Sequence, residues 1–385
     1  MTKTTKIAIN HGGDYLPGLN SVLSGVARAA TSLGWEVVGI HDGFDGLLFP
    51  ERYPDDGIAT IDSGALDTLA SGGTPLLGSG MHSDPFRVRT INSENQVEEM
   101  DRSDELLRKI SDLGIRAVIS VVGLRPLSVL FRLHRKGLNS VCVPASVEND
   151  VAATDLSFGF NTTLSASVNL LDSARNAAHS SRKIGVVEVL GEQTGWLGLQ
   201  SAIAVGADAV LLPEIQYDIR KVAAKLSEKL QSGQSYGLVI VSEGAQPLAK
   251  PQAATAAVSQ QFLRASLSPL ATGAQGGHVI HRSGEAAESV ALELQRLTNH
   301  ETYPLVLGQL VKGGAPSAVD RQLGMGYGAA AVRAIAQKQN GVMVSFQPPD
   351  LKFVPLSEAI NKVRTIPPDS LFLQTARSLG ICLGD

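Results

Sequence analysis

Short aliphatic runs alternate with longer amphipathic stretches along most of this chain, and glycines cluster where the runs end. Residues 6–10, 36–40, 117–122, 140–144, 183–189, 209–212, 238–242 and 302–307 read as strands. Residues 18–33, 99–113, 126–136, 163–179 and 195–205 read as helices. Strand, helix and strand in succession imply parallel pairing through right-handed crossovers. Wholly aliphatic strands such as 209–212 suit a sheet covered on both faces. The expectation is an α/β protein with doubly wound, mainly parallel sheets. Ligands of such sheets bind in the crevice at the carboxyl ends of the strands, where the glycine-rich junctions lie.

A chain of 385 residues, 43% hydrophobic and 18% charged, has globular composition and the length of two or three domains. Its 33 basic and 37 acidic residues nearly cancel and form no basic block, which argues against a nucleic-acid partner. No apolar run approaches the ~18–20 residues that span a bilayer, so no membrane partner is expected. Met1 to Lys6 is polar and leads straight into a strand-like run, unlike a signal peptide. Cys142 and Cys382, far apart, exclude a disulfide framework and point to a reducing, cytoplasmic setting. Residues 252–275, rich in Ala, Gln and Ser, read as a surface insertion or mobile helix.

Asn10-His11-Gly12-Gly13-Asp14-Tyr15-Leu16-Pro17-Gly18-Leu19-Asn20 follows the first strand and opens a helix. Two glycines let the backbone approach a phosphate, and a helix N-terminus favours an anion. The same residues also fit a tight turn with an Asx cap. Pro144-Ala145-Ser146-Val147-Glu148-Asn149-Asp150 brings carboxylates, an amide and a hydroxyl to another strand end. A carboxylate there could take a proton from a substrate hydroxyl, or the stretch could be a polar capping loop. Val311-Lys312-Gly313-Gly314-Ala315-Pro316 offers a phosphate-meeting lysine or a solvated one. Asp320-Arg321 beyond it reads as a salt-bridged helix start. Glu243, after strand 238–242, could bind sugar hydroxyls or stand in solvent. His11, His41 and His82 match no metal-site spacing and read as ordinary loop residues.

In order along the chain, these loops resemble the ATP- and pyrophosphate-dependent 6-phosphofructokinases, from residue 7 to 385. His11 to Asn20 looks like the family's GGDxPGxN loop with one residue inserted. Gly39-Ile40-His41-Asp42-Gly43-Phe44 is similar to its GIxxGxxG stretch, and Gly72-Gly73-Thr74-Pro75-Leu76-Leu77-Gly78-Ser79 to GGTxLGS. Ser146-Val147-Glu148-Asn149-Asp150 stands where the family has TIDND, and Asp155 with Phe158-Gly159-Phe160 resembles GTDxTxGF. Val186-Val187-Glu188-Val189-Leu190-Gly191 resembles the strand into MGR. Glu301-Thr302, Leu307-Gly308 and Gly313-Gly314 resemble the ETR…LGHxQRGG block, and the tail 376–381 is also similar.

The resemblance implies two Rossmann-like domains, a donor-side one of 1–159 plus 311–361 and a sugar-phosphate-side one of 160–310 plus 362–385. It implies a phosphoryl donor bridged by Mg2+ on one side of a cleft, fructose 6-phosphate on the other, and an aspartate that deprotonates the sugar's 1-hydroxyl. It implies a homotetramer, with Lys183 reaching a neighbouring subunit's site. Such transfer is mostly positioning and electrostatic stabilisation, so the charged positions decide what survives.

Several have changed. The GGDGS loop aligns with Val122-Gly123-Leu124-Arg125-Pro126, so the magnesium-linked aspartate is Leu124, and Arg125 replaces a glycine. Met81, Glu192 and Tyr303 stand for arginines, Gln309 for a histidine, and Lys312 and Lys183 for arginines. Glu148 replaces the catalytic aspartate and is one methylene longer; a misplacement of roughly 1 Å can cost ~100-fold. Retained are Gly12, Gly13, Asn149, Asp150, Leu190, Gly191 and Glu243, while Ser146 keeps a threonine's hydroxyl.

Candidate catalytic residues are therefore Glu148 and Asp150, and the donor-phosphate loop comprises Gly12, Gly13, Gly123 and Arg125. The sugar-phosphate side comprises Ser146, Lys183, Leu190, Gly191, Glu243, Gln309 and Lys312. No metal ligand is expected, and Mg2+ with ATP or pyrophosphate enters only if the chain is active. The expected role is a sugar-phosphate-binding or regulatory homologue, alone or assembled with an active phosphofructokinase. The alternatives are a sugar-phosphate kinase with Glu148 as base and a structural subunit with no ligand.

Overall fold

A computed structural model describes residues 4–53, 55–61, 76–80, 83–91, 96–248 and 284–385. The elements begin with β1 (Lys6–Gly12), α1 (Leu19–Ser32), β2 (Glu36–Ile40), α2 (Asp45–Leu48), β3 (Ile58–Thr60), β4 (Val88–Ile91) and β5 (Val97–Met100). Next come α3 (Ser103–Asp112), β6 (Ile115–Val122), α4 (Leu124–Arg135), β7 (Ser140–Ser146), β8 (Phe158–Gly159), α5 (Phe160–Ser181), β9 (Ile184–Val189) and α6 (Trp196–Val205). Then follow β10 (Ala209–Leu211), α7 (Ile219–Gln231), β11 (Gly237–Ser242), α8 (Glu285–Thr298), β12 (Thr302–Val306) and a 3-10 turn, Gly308–Lys312. The chain closes with α9 (Ala318–Ala336), β13 (Val342–Gln347), β14 (Asp350–Pro355), α10 (Leu356–Ala359) and α11 (Leu371–Ser378). The chain divides into two compact units, Met1–Thr163 with Lys312–Arg364, and Leu164–Val311 with Thr365–Asp385.

The first unit is built on a sheet of order β14-β13-β7-β6-β1-β2-β3. Neighbours from β13 to β2 run parallel, and antiparallel β14 and β3 close the two edges. Strands β6 and β7 are buried almost throughout, as strands covered on both faces should be. One face carries a cluster of Ala8, Val38, Ile40, Val118 and Cys142 under Leu127, Leu130 and Leu133 of α4. Elsewhere α1 packs closely on α9. A Cβ on Gly25 would stand 2.3 Å from the Met325 carbonyl oxygen, so only glycine permits this helix contact.

The second unit has four parallel strands in the order β10-β11-β9-β12. Ile184, Val186, Val239, Val241 and Leu211 pack under Val222 and Leu226 of α7 and Val290 and Leu294 of α8. Glu188 lies within this buried strand, and its carboxylate accepts the N–H groups of Gly284 at 2.6 Å and Ala287 at 3.0 Å. It thereby satisfies two donors at the start of α8.

The expected helix at 99–113 is a strand, β5, followed by α3. Arg89 on β4 holds Glu99 at 2.9 Å across a hairpin, and the Asp101 carboxylate accepts the Ser103 N–H at 2.9 Å to start the helix. The helix expected from 126 begins at Leu124, with Pro126 in its first turn, where a missing N–H costs nothing. Strand β1 runs on to Gly12 and β7 to Ser146. The sequence reading assigned no element to α7, α8, β13 or β14, and of α9 it gave only a start at 320–321. Residues 252–275 lie outside the described residues.

Candidate functional site

Parallel register in the first unit sets Gly12 opposite Val122, and Val122 opposite Pro144. The carboxyl ends of β1, β6 and β7 therefore align. The loops that follow them, Gly12-Gly13-Asp14, Gly123-Leu124-Arg125 and Ser146 to Asp150, share one rim of the sheet. A Cβ on Gly12 would stand 3.2 Å from Val122 Cγ1 and 3.3 Å from Pro126 Cβ, so the start of α4 lies on the glycine loop. Gly13 has φ of +135°, which side-chain-bearing residues rarely adopt.

In the acidic loop, Ser146 Oγ donates to Asp150 Oδ1 at 2.5 Å and accepts the Glu148 N–H at 3.1 Å. Burial raises the Asp150 pKa above the ordinary carboxylate value, while the Ser146 bond opposes that shift. Asn149 occupies the left-handed region at φ 56°, which Asn tolerates better than most residues. Its side chain donates to the Asp155 carbonyl at 3.2 Å and accepts the Ser157 N–H at 2.8 Å. From far along the chain, the Arg364 N–H meets the Asp150 carbonyl at 2.7 Å, and its guanidinium meets the Asn149 carbonyl at 3.3 Å. Sequence reasoning missed Arg364, because nothing local in 363–366 announces a partner 215 positions away.

Lys312 pairs with Asp14 of the glycine loop and is only 13% exposed, so the solvated alternative does not hold. Burial works to raise the Asp14 pKa, but the Lys312 bond and charge and the Tyr15 N–H together hold it below the usual range. Asp320 and Arg321 do not form the expected salt-bridged start. The buried Asp320 carboxylate accepts the Thr162 N–H and hydroxyl, both at 2.6 Å, while Arg321 Nε donates to the Pro316 carbonyl at 3.0 Å. Nor is His11 a loop residue. It lies on β1, fully buried, and its Nδ1 donates to the Gly78 carbonyl at 3.2 Å.

At the start of α4, Leu124 turns onto the hydrophobic cluster under the sheet, and the Arg125 side chain is exposed. The Asp150 carboxylate is committed to Ser146. Leu124 and Arg125 give a hard cation no oxygen ligand at the start of α4, and of the rim's carboxylates Asp150 is bonded to Ser146 and Asp14 to Lys312.

In the second unit, Leu190, Gly191 and Glu243 gather at the carboxyl ends of β9 and β11. The Glu243 N–H meets the Val189 carbonyl at 3.1 Å, and the Gly244 N–H meets the Gly191 carbonyl at 2.9 Å. Glu192 is exposed just beyond. Lys183 stands at the opposite, amino end of β9, paired with Glu301 at 2.7 Å. Tyr303, beside it on β12, donates its hydroxyl to the Ala174 carbonyl at 3.1 Å. Gln309 is exposed in the 3-10 turn. Met81, His82 and Gly72 to Pro75 lie outside the described residues.

The phosphofructokinase family model matches residues 6–335. An ATP-dependent 6-phosphofructokinase of Chloroflexus aurantiacus is 36% identical over 385 residues, covering 100% of this chain and 99% of its own. ATP-dependent 6-phosphofructokinase 2 of Clostridium perfringens is 33% identical over 387 residues, covering 100% of both chains. Among solved structures, a pyrophosphate-dependent phosphofructokinase from Nitrosospira multiformis shares the fold at TM-score 0.72 and 19% identity, over 98% of this chain and 89% of that one. Pichia pastoris phosphofructokinase in the T-state gives TM-score 0.73 at 22% identity; 98% of this chain spans only 36% of that longer one.

Proposed function

The chain belongs to the phosphofructokinase family, and from that footing we propose that it binds a sugar phosphate while magnesium-assisted transfer to fructose 6-phosphate is impaired. One observation carries this reading. Leu124, which stands where the family's magnesium-linked aspartate is expected, is packed on the core, while the glycine loop and the Ser146–Asp150 loop remain at the ends of β1 and β7, on either side of β6. Phosphoryl transfer needs the developing charge neutralised by groups already in place. The anion-binding parts of the rim are present without that carboxylate. In this reading Gly12, Gly13, Gly123 and Arg125 receive phosphate oxygens, and Lys312 anchors the loop through Asp14. Ser146 serves the first unit's rim, Leu190, Gly191, Glu243 and Gln309 are the sugar-side residues of the second unit, and the units 1–159 with 311–361 and 160–310 with 362–385 divide those tasks. The protein acts in the cytoplasm, to which its two unpaired cysteines lend support. It works as a homotetramer or in assembly with an active phosphofructokinase, with Lys183 turned toward a neighbouring subunit.

A second reading is an active sugar-phosphate kinase with Glu148 as base. It is favoured by the retained acid at the β7 end, whose N–H is anchored on Ser146 at 3.1 Å, and by full-length relatives named ATP-dependent 6-phosphofructokinases. A Leu124→Asp, Arg125→Gly double change separates the two. On the first reading it raises magnesium-dependent turnover above the native chain, while fructose 6-phosphate raises the melting temperature of both. A native chain that already turns over as fast as the double variant would establish the second.

A further inference from the structure

His11 is a polar side chain that the expected phosphate chemistry leaves unused. It sits on β1 immediately before Gly12 and Gly13, at 0% exposure. Because a carbonyl only accepts, the 3.2 Å contact with Gly78 O fixes the proton of the neutral ring on Nδ1. The lone pair then lies on Nε2, which is buried with no hydrogen-bond partner among the described residues. An orphaned acceptor beside a loop suited to anions is a vacant proton site.

The charges that act on it among the described residues are Asp14 and Asp42. Each is already engaged. Asp14 is paired with Lys312, and Asp42 accepts the Ser79 N–H at 2.8 Å and the Tyr53 hydroxyl at 3.0 Å. Neither carboxylate hydrogen-bonds the ring, so burial prevails and keeps the free imidazole neutral near pH 7. An oxyanion arriving at Gly12-Gly13 adds an unneutralised negative charge next to this ring, and an adjacent anion favours the imidazolium.

We propose that His11 is a further binding residue of this rim, taking up one proton on Nε2 when a tetrahedral oxyanion occupies the Gly12-Gly13-Asp14 loop. This rests on the phosphate-binding reading given above. The balance is simple: one N–H bond forms, its proton comes from solvent, and no other bond changes. The sign follows from linkage. Bound His11 holds a proton that free His11 lacks, so affinity falls as pH rises, up to about tenfold per pH unit for one coupled proton.

The test is calorimetric titration of the full chain with sodium sulfate, a tetrahedral oxyanion that itself carries no titratable proton between about pH 6 and about pH 8. Two buffers of different ionisation enthalpy count the protons taken up. The expected result is close to one proton per sulfate for the native chain and none for His11→Gln or His11→Asn. Native binding without proton uptake overturns the role of His11 and leaves the anion site standing. Failure of both sulfate and pyrophosphate to bind at any pH in that range overturns the anion site, and His11's role with it. Proton uptake that persists in a folded His11→Gln chain assigns the proton elsewhere and also overturns the proposal. The native count is read without any variant, so a variant that does not fold leaves the test intact.

Discussion

Ser146 and Asp150 are joined by a 2.5 Å hydrogen bond that folds the acidic loop back on the end of β7. The same hydroxyl accepts the Glu148 N–H at 3.1 Å, so a single oxygen fixes both ends of the stretch that carries Glu148.

Ser146→Ala should therefore leave the Asp150 carboxylate short of a donor and the Glu148 N–H short of an acceptor. The expected loss of stability is about 1–3 kcal/mol, read from urea unfolding midpoints at constant m-value. Ser146→Thr keeps the hydroxyl and should cost much less. Equal losses in the two variants would show that the hydroxyl does not organise the loop.

Asp320 gives a pH-dependent prediction. Burial raises its pKa in the folded chain, partly offset by the Thr162 bonds. A carboxyl raised above its unfolded value favours folding below the unfolded pKa, near 4, and that contribution is lost as pH rises through the folded value. Stability of the native chain relative to Asp320→Asn should fall as pH rises from about 4. Asp320→Ala, which strands the Thr162 N–H and hydroxyl, should cost about 2–4 kcal/mol at neutral pH. A pH-independent difference between native and Asp320→Asn would mean that burial does not govern this group.

Glu188 ties β9 to the first turn of α8 through two N–H bonds. Glu188→Ala leaves both donors buried and unpaired, and a loss of about 2–4 kcal/mol is expected. Glu188→Gln retains an acceptor oxygen and should recover part of it. Calorimetric melting of the two variants is the check, and identical melting temperatures would contradict the capping role.

The sheet was legible because its strands are continuous aliphatic runs between glycines, and β2 falls on 36–40 as read from the sequence. Residues 99–100 were misread because Glu99 extends the charge pattern of α3 backwards, whereas in the fold they pair with β4 in an antiparallel ladder, Glu99 opposite Arg89. The Asp101-to-Ser103 bond was a usable start signal, since Asx turns precede many helices. At the rim, Gly12, Gly13, Ser146 and Asp150 could be named because motif spacing marks them. The burial of His11, the Lys312–Asp14 pair and the reach of Arg364 could not, because each depends on residues brought together only by the fold.

The proposed binding of a phosphorylated sugar at this rim does without the family's magnesium-linked aspartate, whose place Leu124 takes. Its most direct test is the initial rate of fructose 1,6-bisphosphate formation from fructose 6-phosphate and Mg2+, with ATP or pyrophosphate, in the native chain and in Glu148→Gln. No difference between the two and no turnover above background are expected, with binding of fructose 6-phosphate retained in both. Donor-dependent turnover that Glu148→Gln abolishes would contradict it and make Glu148 a working base.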